Sequence, residues 1–246
     1  MVPKDTVWLK AWDVINSRFF KYDSDVNAIV NWLKEKKYRV KNILDVGCGA
    51  GHYSFLLSKK GYSCIGIDKC RETVNYAKCI YPYIEFYNID LFDLNDFFFE
   101  KFDLILGKHL TFSREDILRV LGIAKKCLKP NSNKLIVFDF LLKTGKLKPE
   151  FTDFDIICST DMEGVRINYF ILSELENFYI WEEVYFLKEK SSDNLILKTN
   201  KRNLYFLQEK ELENILELMG IEVEKTTSEE VGIDGLKGVN IYGRFR

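Results

Sequence analysis

Between residues 41 and 140, short apolar runs rich in β-branched residues alternate with segments whose apolar residues recur at helical spacing. This alternation predicts an α/β fold, because a chain that returns to add each parallel strand needs a crossover, which is usually a helix. The architecture we expect is a Rossmann-like doubly wound sheet. Its strands are predicted at Asn42–Val46, Ser63–Ile67, Ile84–Ile89, Phe102–Leu106 and Lys134–Phe140, with helices over residues 53–60, 71–80 and 114–128.

Two further patterns flank this unit. Residues 8–20 and 26–36 predict two helices, and we expect residues 1–40 to form a helical lid or flank. After Phe140 the apolar period becomes two, in segments 164–173, 177–187 and 194–207, which predicts an inserted antiparallel sheet within residues 151–206. A helix over 208–219 and strands over 221–225 and 239–244 are expected to return to the main sheet, so the Rossmann-like domain would comprise residues 41–150 and 207–246.

Composition excludes several classes of partner. Lys and Arg number 36 against 37 Asp and Glu, and both signs are interspersed, which disfavours nonspecific nucleic-acid binding. The six cysteines lack CxxC spacing and only two histidines are present, so no metal site is expected. No apolar run approaches the ~18–20 residues of a membrane span. These features predict a cytoplasmic protein with reduced thiols, no metal and no membrane association.

A glycine-rich turn follows the first predicted strand, in the sequence DVGCGAGH. Glycines there let a ligand approach the backbone closely, at the edge of the sheet where α/β proteins bind ligands. The dinucleotide fingerprint would place its third glycine three positions after the second, whereas Gly51 follows Gly49 by two. Asp45 would also repel a pyrophosphate. A nicotinamide cofactor is therefore disfavoured, although it stays an alternative.

Two acids on either side of the turn indicate a different ligand. Asp45 suits a positively charged group, and Asp68 ends the next strand, where it could accept two hydrogen bonds from a ribose diol. A zwitterion joined to a nucleoside has both features. S-adenosylmethionine, with its amino-acid end, ribose and adenine, fits this pair of acids.

The segments ILDVGCGAG, GID, NID and FDLIL, in this order, resemble the successive motifs of class I S-adenosylmethionine-dependent methyltransferases over roughly residues 40–140. The resemblance implies a seven-stranded sheet whose last strand is antiparallel. It also implies that Asp45 and Gly47–Gly51 hold the methionine portion, Asp68 the ribose, and Asp90 with the Leu91 backbone the adenine. Asp90 is one of several aspartates here, and a solvated loop is its alternative. The cofactor-binding candidates are Asp45, Gly47, Cys48, Gly49, Gly51, Asp68, Lys69, Asp90, Leu91, Gly107 and Tyr22.

The inserted sheet resembles, more faintly, that of small-molecule N-methyltransferases acting on glycine, sarcosine or amino sugars. Strand alternation puts Tyr179, Trp181, Glu183 and Tyr185 on one face, which could bind an amine by cation–π and ionic contacts or could simply be packed. Arg166 could bind an anionic group of the acceptor, or be solvated. The acceptor-binding candidates are Tyr179, Trp181, Tyr185 and Arg166.

Methyl transfer is an in-line displacement that needs alignment, exclusion of water and an acceptor lone pair. His109, just past the fourth predicted strand, is the candidate base, with a surface or helix-capping role as its alternative. The sequence thus predicts an S-adenosylmethionine-dependent methyltransferase, a monomer or homodimer that methylates a small molecule at nitrogen. A protein methyltransferase and an inactive S-adenosylmethionine-binding module are the alternatives.

Overall fold

The computed structural model describes residues 7–173, 178–191 and 195–246. The first six residues of the predicted lid, and Asn177 and Asn194 of the predicted strands, lie outside these ranges. The helices are α1 (Val7–Phe19), α2 (Tyr22–Glu35), α3 (His52–Lys59), α4 (Arg71–Ile80), α5 (Arg114–Cys127) and α6 (Glu209–Leu218). The strands are β1 (Asn42–Val46), β2 (Ser63–Asp68), β3 (Glu85–Asn88), β4 (Leu104–Gly107), β5 (Leu135–Lys143), β6 (Glu150–Cys158), β7 (Met162–Ser173), β8 (Phe178–Glu189), β9 (Leu195–Tyr205), β10 (Ile221–Glu230) and β11 (Leu236–Phe245).

Seven strands form the main sheet in the order β10-β11-β5-β4-β1-β2-β3. The pairings of β1 with β2 and β4, of β2 with β3 and of β4 with β5 are parallel, whereas β11 runs antiparallel to both β5 and β10. The predicted fold class is therefore confirmed. The strand order reverses between β1 and β4, and ligands of such sheets bind in the crevice beyond the carboxyl ends of these strands.

The main sheet is buried on both faces, because its strands alternate between two apolar layers. On one side, Leu44 and Ile105 pack in a cluster with Leu121 of α5 and Leu212 of α6. On the other side, Ile43 and Leu104 belong to a cluster formed with α2 and α3. Near-continuous apolar strands are typical of a sheet covered by helices on both faces, and here they hold the carboxyl ends of β1 and β4 side by side.

A second sheet contains four antiparallel strands in the order β6-β7-β8-β9. The sequence patterns predicted three of them and missed β6, because most residues of that strand are exposed on both faces and show no regular burial. In β8 the predicted alternation holds, since Tyr179, Glu183 and Tyr185 are buried while Phe186 is exposed. Helix α1 packs against this buried face.

The boundaries of two elements differ from those predicted from the sequence. Helix α2 starts at Tyr22, four residues before the predicted position, and Asp23 and Asp25 in its first turn interact favourably with the helix dipole. Strand β10 continues through a polar segment to Glu230, because it lies at the edge of the sheet with one side towards solvent. Among the helices that the structure describes, none has the length and apolar content needed to cross a membrane.

Candidate functional site

The glycine turn joins β1 to α3 in a backbone conformation that favours glycine. Gly47, Gly49 and Gly51 have φ angles of +64°, +53° and +82°. Space also requires glycine at the last position, because a Cβ on Gly51 would lie 2.4 Å from Cζ of Phe86. The turn thereby directs the free N–H groups of α3 towards the crevice.

Asp68, the last residue of β2, holds this turn. Its Oδ2 accepts a hydrogen bond from the Gly49 amide at 3.0 Å, and its Oδ1 accepts one from the Cys70 amide at 2.8 Å. Burial raises the pKa of Asp68 above its usual range, and the two amide donors oppose that shift. Each carboxylate oxygen has a second lone pair, so the same group can still accept a ribose hydroxyl. Lys69 beside it is exposed.

Asp45 lies in β1 just before the turn and is 2% exposed. Its Oδ2 accepts a hydrogen bond from the Ser54 hydroxyl of α3 at 2.6 Å. Burial raises the pKa of Asp45 to about 7. A cationic ligand group nearby would favour the ionised form and lower this pKa again.

We therefore expect S-adenosylhomocysteine binding to release a proton from Asp45 at pH 6. Below a pKa of about 7 the ligand-free carboxyl is mostly protonated, so affinity should rise as the pH increases from 5 to 7. Calorimetry at pH 6 in two buffers of different ionisation enthalpy measures the proton directly. Asp45→Asn is the control and should bind without proton release, and a wild-type protein that exchanges no proton would contradict the prediction.

Asp90 and Leu91 lie beyond β3, on the same edge of the sheet. Asp90 caps a single 3-10 turn over Leu91–Asp93, where its Oδ1 accepts a hydrogen bond from the Phe92 amide at 3.0 Å. Leu91 is buried beneath this turn. This capping bond fixes Asp90 at the start of the turn, and its adenine contact stays a prediction.

The segment after β4 lies directly against the glycine turn. The Cδ2 atom of Leu110 is 2.1 Å from the point where a Cβ on Gly47 would lie, so only glycine leaves room for it. Gly107, the last residue of β4, is similarly crowded by the Phe138 ring. His109 between them has a φ angle of +58°, an uncommon conformation for a residue with a side chain. The backbone therefore brings His109 to the crevice that the sequence predicted.

His109 has protein partners at both ring nitrogens. Its Nε2 is 2.8 Å from the Tyr53 hydroxyl, and its Nδ1 is 3.4 Å from Oδ2 of Asp139. Its backbone N–H donates to both Asp139 oxygens, at 2.9 and 2.8 Å, and Phe20 stacks on the ring with centroids 3.7 Å apart. Burial lowers the pKa of His109, an effect that Asp139 opposes and Lys108 reinforces.

Sequence reasoning missed the buried charges around this histidine. The Lys108 ammonium is 3.5 Å from Asp25 and 3.6 Å from Asp139, and it donates to the Asn240 side-chain oxygen. Two features of the sequence indicate that these charges are buried. Lys108 follows a wholly apolar strand segment, and Asp139 interrupts the apolar run LIVFDF.

His109, Asp139 and Glu229 resemble a metal-ligand group, since their donor atoms lie within 4.8 Å of one another. The Lys108 ammonium already supplies positive charge there, 3.6 Å from Asp139. Lys108 therefore compensates part of the negative charge of this group.

The N-terminal helices cover the site. The Trp12 ring of α1 comes within 3.3 Å of the position that a Cβ on Gly49 would occupy. Tyr22 lies beside α3 instead, with its ring 4.6 Å from His52 and 5.1 Å from Tyr53 between centroids. Trp12 therefore lies over the glycine turn.

The predicted acceptor residues form a polar layer inside the four-stranded sheet. Arg166 bonds Asp155 through Nε at 2.8 Å and Glu183 through a terminal nitrogen at 3.1 Å. Glu183 also accepts hydrogen bonds from the Tyr185 hydroxyl at 2.9 Å and from Arg202 at 3.0 Å. Arg166 and Glu183 are both buried, so the alternative of a solvated Arg166 does not apply.

The other two predicted acceptor residues also have internal partners. The Tyr179 hydroxyl donates to the Lys148 carbonyl at 2.8 Å, and the Trp181 indole N–H donates to the Asn168 side chain at 3.2 Å. Arg202 lies over the Trp181 ring at 3.8 Å from its centroid. These contacts stabilise the sheet, and contact with an acceptor stays a prediction.

Two connections join this sheet to the glycine turn and the β4 segment. The Thr111 hydroxyl, two residues after His109, donates to the Asn203 carbonyl of β9 at 3.1 Å. Trp8 of α1 contacts Tyr185 with ring centroids 6.1 Å apart, while Trp12 of the same helix covers Gly49. The four-stranded sheet, α1 and the segment after β4 therefore pack as neighbours around the crevice.

Known proteins share this fold. DesVI of Streptomyces venezuelae superposes with a TM-score of 0.76 at 15% identity, over 97% of this chain and 98% of that one. KedS8, a sugar N-methyltransferase from Streptoalloteichus, gives a TM-score of 0.74 at 16% identity over 96% and 93%. CalS10, an amino pentose methyltransferase from Micromonospora echinaspora whose structure contains S-adenosylmethionine, gives 0.71 at 13% identity over 94% and 95%. At these identities the likeness establishes the fold.

Sequence comparison identifies the family. Putative methyltransferase 235L of Invertebrate iridescent virus 6 is 35% identical over 69 residues, which cover 27% of this chain and 25% of the viral protein. The match thus spans a quarter of that relative's length. The methyltransferase-domain family matches residues 18–226, which include both sheets except the last strand and part of β10. The chain therefore belongs to the methyltransferase-domain family, and its fold is the class I methyltransferase fold.

Proposed function

We propose that this methyltransferase transfers its methyl group to a nitrogen atom of a small molecule. The observation that carries the proposal is the position of His109, a partly buried imidazole held beside the glycine turn at the end of β4. A nitrogen acceptor must be neutral to attack, and such an imidazole can take its proton. The whole-chain likeness to KedS8, a sugar N-methyltransferase, and to CalS10, an amino pentose methyltransferase, supports the acceptor class.

When bound, S-adenosylmethionine supplies an activated methyl group on a positively charged sulfur. We propose that Asp45 and the glycine turn hold its amino-acid end, and that Asp68 accepts its ribose hydroxyls. The donor set fits this ligand, because the acids Asp45 and Asp68 lie on either side of a glycine turn that leaves room for a ligand close to the backbone. Trp12 above Gly49 would exclude water, which strengthens the electrostatic contacts inside the crevice.

We propose further that residues 151–206 form the acceptor-side cap. The four-stranded sheet contacts the segment that carries His109 through Thr111 and Asn203. Its buried face presents Arg166, Trp181 and Tyr185 on the side of α1 that also covers the glycine turn. An acceptor bound between the sheet and His109 would meet an aromatic and charged surface suited to a polar amine.

A turnover assay on paired compounds tests the proposed acceptor atom. The protein is incubated with S-adenosylmethionine and a panel of amino sugars and small amines, each matched by the corresponding hydroxyl compound, and S-adenosylhomocysteine is quantified by mass spectrometry. We expect product with amines only. Methylation of the hydroxyl partners or of proteins would contradict the acceptor class, and cofactor binding without product on any panel would indicate an inactive binding module.

His109→Asn should lower kcat by ~10²-fold, the usual contribution of a general base, and leave S-adenosylhomocysteine affinity within about twofold. The matched control is His52→Asn, which removes the other imidazole of the chain. His52 bonds Asp13 and Tyr81 next to the glycine turn, so its loss should weaken cofactor binding more than kcat. Equal kcat values for His109→Asn and the wild type across pH 6–9 would exclude His109 as the base.

A further inference from the structure

We infer that Tyr53 and Asp25 hold neutral His109 in the tautomer that carries its proton on Nε2, so that Nδ1 is the nitrogen that takes a proton from the acceptor. The inference rests on the proposed function for the proton's source. The tautomer itself is a property of the protein alone. Tyr53 and Asp25 are thereby positioning residues, which act through His109.

The single hydrogen of the Tyr53 hydroxyl determines which nitrogen of His109 carries the proton. The Tyr53 hydroxyl has a single hydrogen but lies 2.6 Å from Oδ2 of Asp25 and 2.8 Å from Nε2 of His109, both hydrogen-bond distances. Asp25, whose carboxylate is 3.5 Å from the Lys108 ammonium, has no hydrogen to donate. Tyr53 must therefore donate to Asp25, and the hydrogen in the second contact must come from Nε2 of His109.

The distances at the opposite nitrogen agree with this assignment. Nδ1 is 3.4 Å from Asp139, beyond the ~2.7–3.2 Å of ordinary N–H···O bonds. The Asp139 oxygens already accept the backbone N–H of His109 at 2.9 and 2.8 Å. Neutral Nδ1 therefore keeps a lone pair, and Asp139 needs to move only slightly to accept a hydrogen bond once Nδ1 is protonated.

Five titratable or charged groups face His109 from the surrounding elements: Asp139 of β5, Lys108 beside β4, Asp25 of α2, Tyr53 of α3 and Glu229 of β10. Burial lowers the pKa of His109, so the ring is neutral and ready to accept a proton at neutral pH. Burial and Asp25 raise the pKa of Tyr53, which therefore keeps its hydroxyl hydrogen throughout. A protonated imidazole would be stabilised by the carboxylates of Asp139 and Asp25.

The proposed proton transfer conserves every proton and every electron pair. An acceptor ammonium gives one proton to Nδ1 and retains the N–H bonding pair as the lone pair that attacks the methyl carbon. His109 becomes an imidazolium, with Nδ1–H directed to Asp139 and Nε2–H to the Tyr53 oxygen. Release of that proton to solvent restores the starting tautomer.

Nitrogen-15 NMR of histidine-labelled protein tests the tautomer without any substrate. The chain has only two histidines, so two ring patterns are expected, and His52→Gln identifies the one that belongs to His109. We expect the neutral form of His109 to show a pyrrole-type Nε2 and a pyridine-type Nδ1. The opposite pattern in the wild-type protein would overturn the inference.

Two variants test the assigned cause. Tyr53→Phe keeps the ring that packs on Tyr22 but removes the hydroxyl, and Asp25→Leu replaces the carboxylate that receives the Tyr53 hydrogen with a side chain that cannot accept it. Either change should switch neutral His109 to the Nδ1–H tautomer paired with Asp139. The matched control is Tyr76→Phe, which removes another buried phenol hydroxyl bonded to an aspartate, at 3.2 Å, and should leave the His109 pattern unchanged. An unchanged His109 tautomer in both Tyr53→Phe and Asp25→Leu would overturn the inference.

Kinetic measurements on the Tyr53→Phe variant give a second test of the positioning role. Tyr53→Phe should lower kcat on the order of tenfold and shift the pH profile of kcat, while S-adenosylhomocysteine affinity stays within about twofold. A loss of cofactor affinity with an unmoved pH profile would indicate a merely structural role and overturn the inference. A wild-type protein that shows the Nε2–H tautomer but methylates no amine would contradict the proposed function and leave the tautomer assignment supported.

Discussion

Gly49→Val should weaken S-adenosylhomocysteine binding by at least ~100-fold, which corresponds to about 2.7 kcal/mol. Gly49 has a φ angle of +53°, where a β-branched residue is strained by ~1–3 kcal/mol. Its Cβ would point at the Trp12 ring from 3.3 Å, so the added methyl groups would fill the narrow space between the turn and α1. Any shift of the backbone that relieved this contact would also break the bond from the Gly49 amide to Asp68.

Gly61→Val separates backbone strain from blockage of the crevice. Gly61 has a φ angle of +94° and nothing lies within 4 Å of its Cβ position, so valine there is strained without touching the turn. Calorimetric titration with S-adenosylhomocysteine, together with thermal unfolding of both variants, measures the difference. We expect Gly61→Val to lose stability but bind normally. Binding by folded Gly49→Val within threefold of the wild type would show that the cofactor lies elsewhere.

Glu183→Ala should lower the free energy of unfolding by ~3–5 kcal/mol, because it leaves a buried cation with part of its charge uncompensated. Glu183 is 1% exposed and accepts hydrogen bonds from Arg166, Tyr185 and Arg202. Arg166 would keep Asp155 as its partner but lose the second carboxylate. For a domain of this size the unfolding midpoint should fall on the order of 10 °C.

Glu182→Ala is the matched control on the neighbouring position of the same strand. Glu182 faces the other side of β8 and pairs with Lys201 at 2.6 Å, with its side chain 43% exposed. Exposed pairs contribute ~0–1 kcal/mol, so the same loss of one negative charge should barely change stability. Urea unfolding of both variants gives the comparison. Equal losses would mean that the face of β8 that carries Glu183 does not support the sheet.

The class of fold and the cofactor could be predicted because their signals are local. The βα turn requires a left-handed backbone at three glycines that lie close together in the sequence, Gly47, Gly49 and Gly51. Asp68 then follows at the end of the next strand. Apolar runs that repeat along the chain likewise report strands buried on both faces. The family match confirms the methyltransferase class inferred from these features.

Strand β6 and the convergence of the buried polar groups on His109 could not be predicted in this way. Strand β6 has little burial, so no alternation marks it, and only its pairing with β7 makes it a strand. Asp25, Tyr53 and Asp139 come from α2, α3 and β5, and nothing in their separate neighbourhoods indicates that they converge on one histidine.

The sequence by itself determined the α/β class, the glycine turn and the acids that flank it, because backbone sterics and apolar periodicity act over a few consecutive residues. Only the tertiary structure decided the partners of His109 and the internal pairing of Arg166 with Glu183. Those contacts join residues far apart in the chain, and they form only when the sheet order brings the carboxyl ends of β1, β4 and β5 together. Contacts between side chains far apart in the chain therefore determine the chemistry of the site, and such contacts produce no periodic pattern in the sequence.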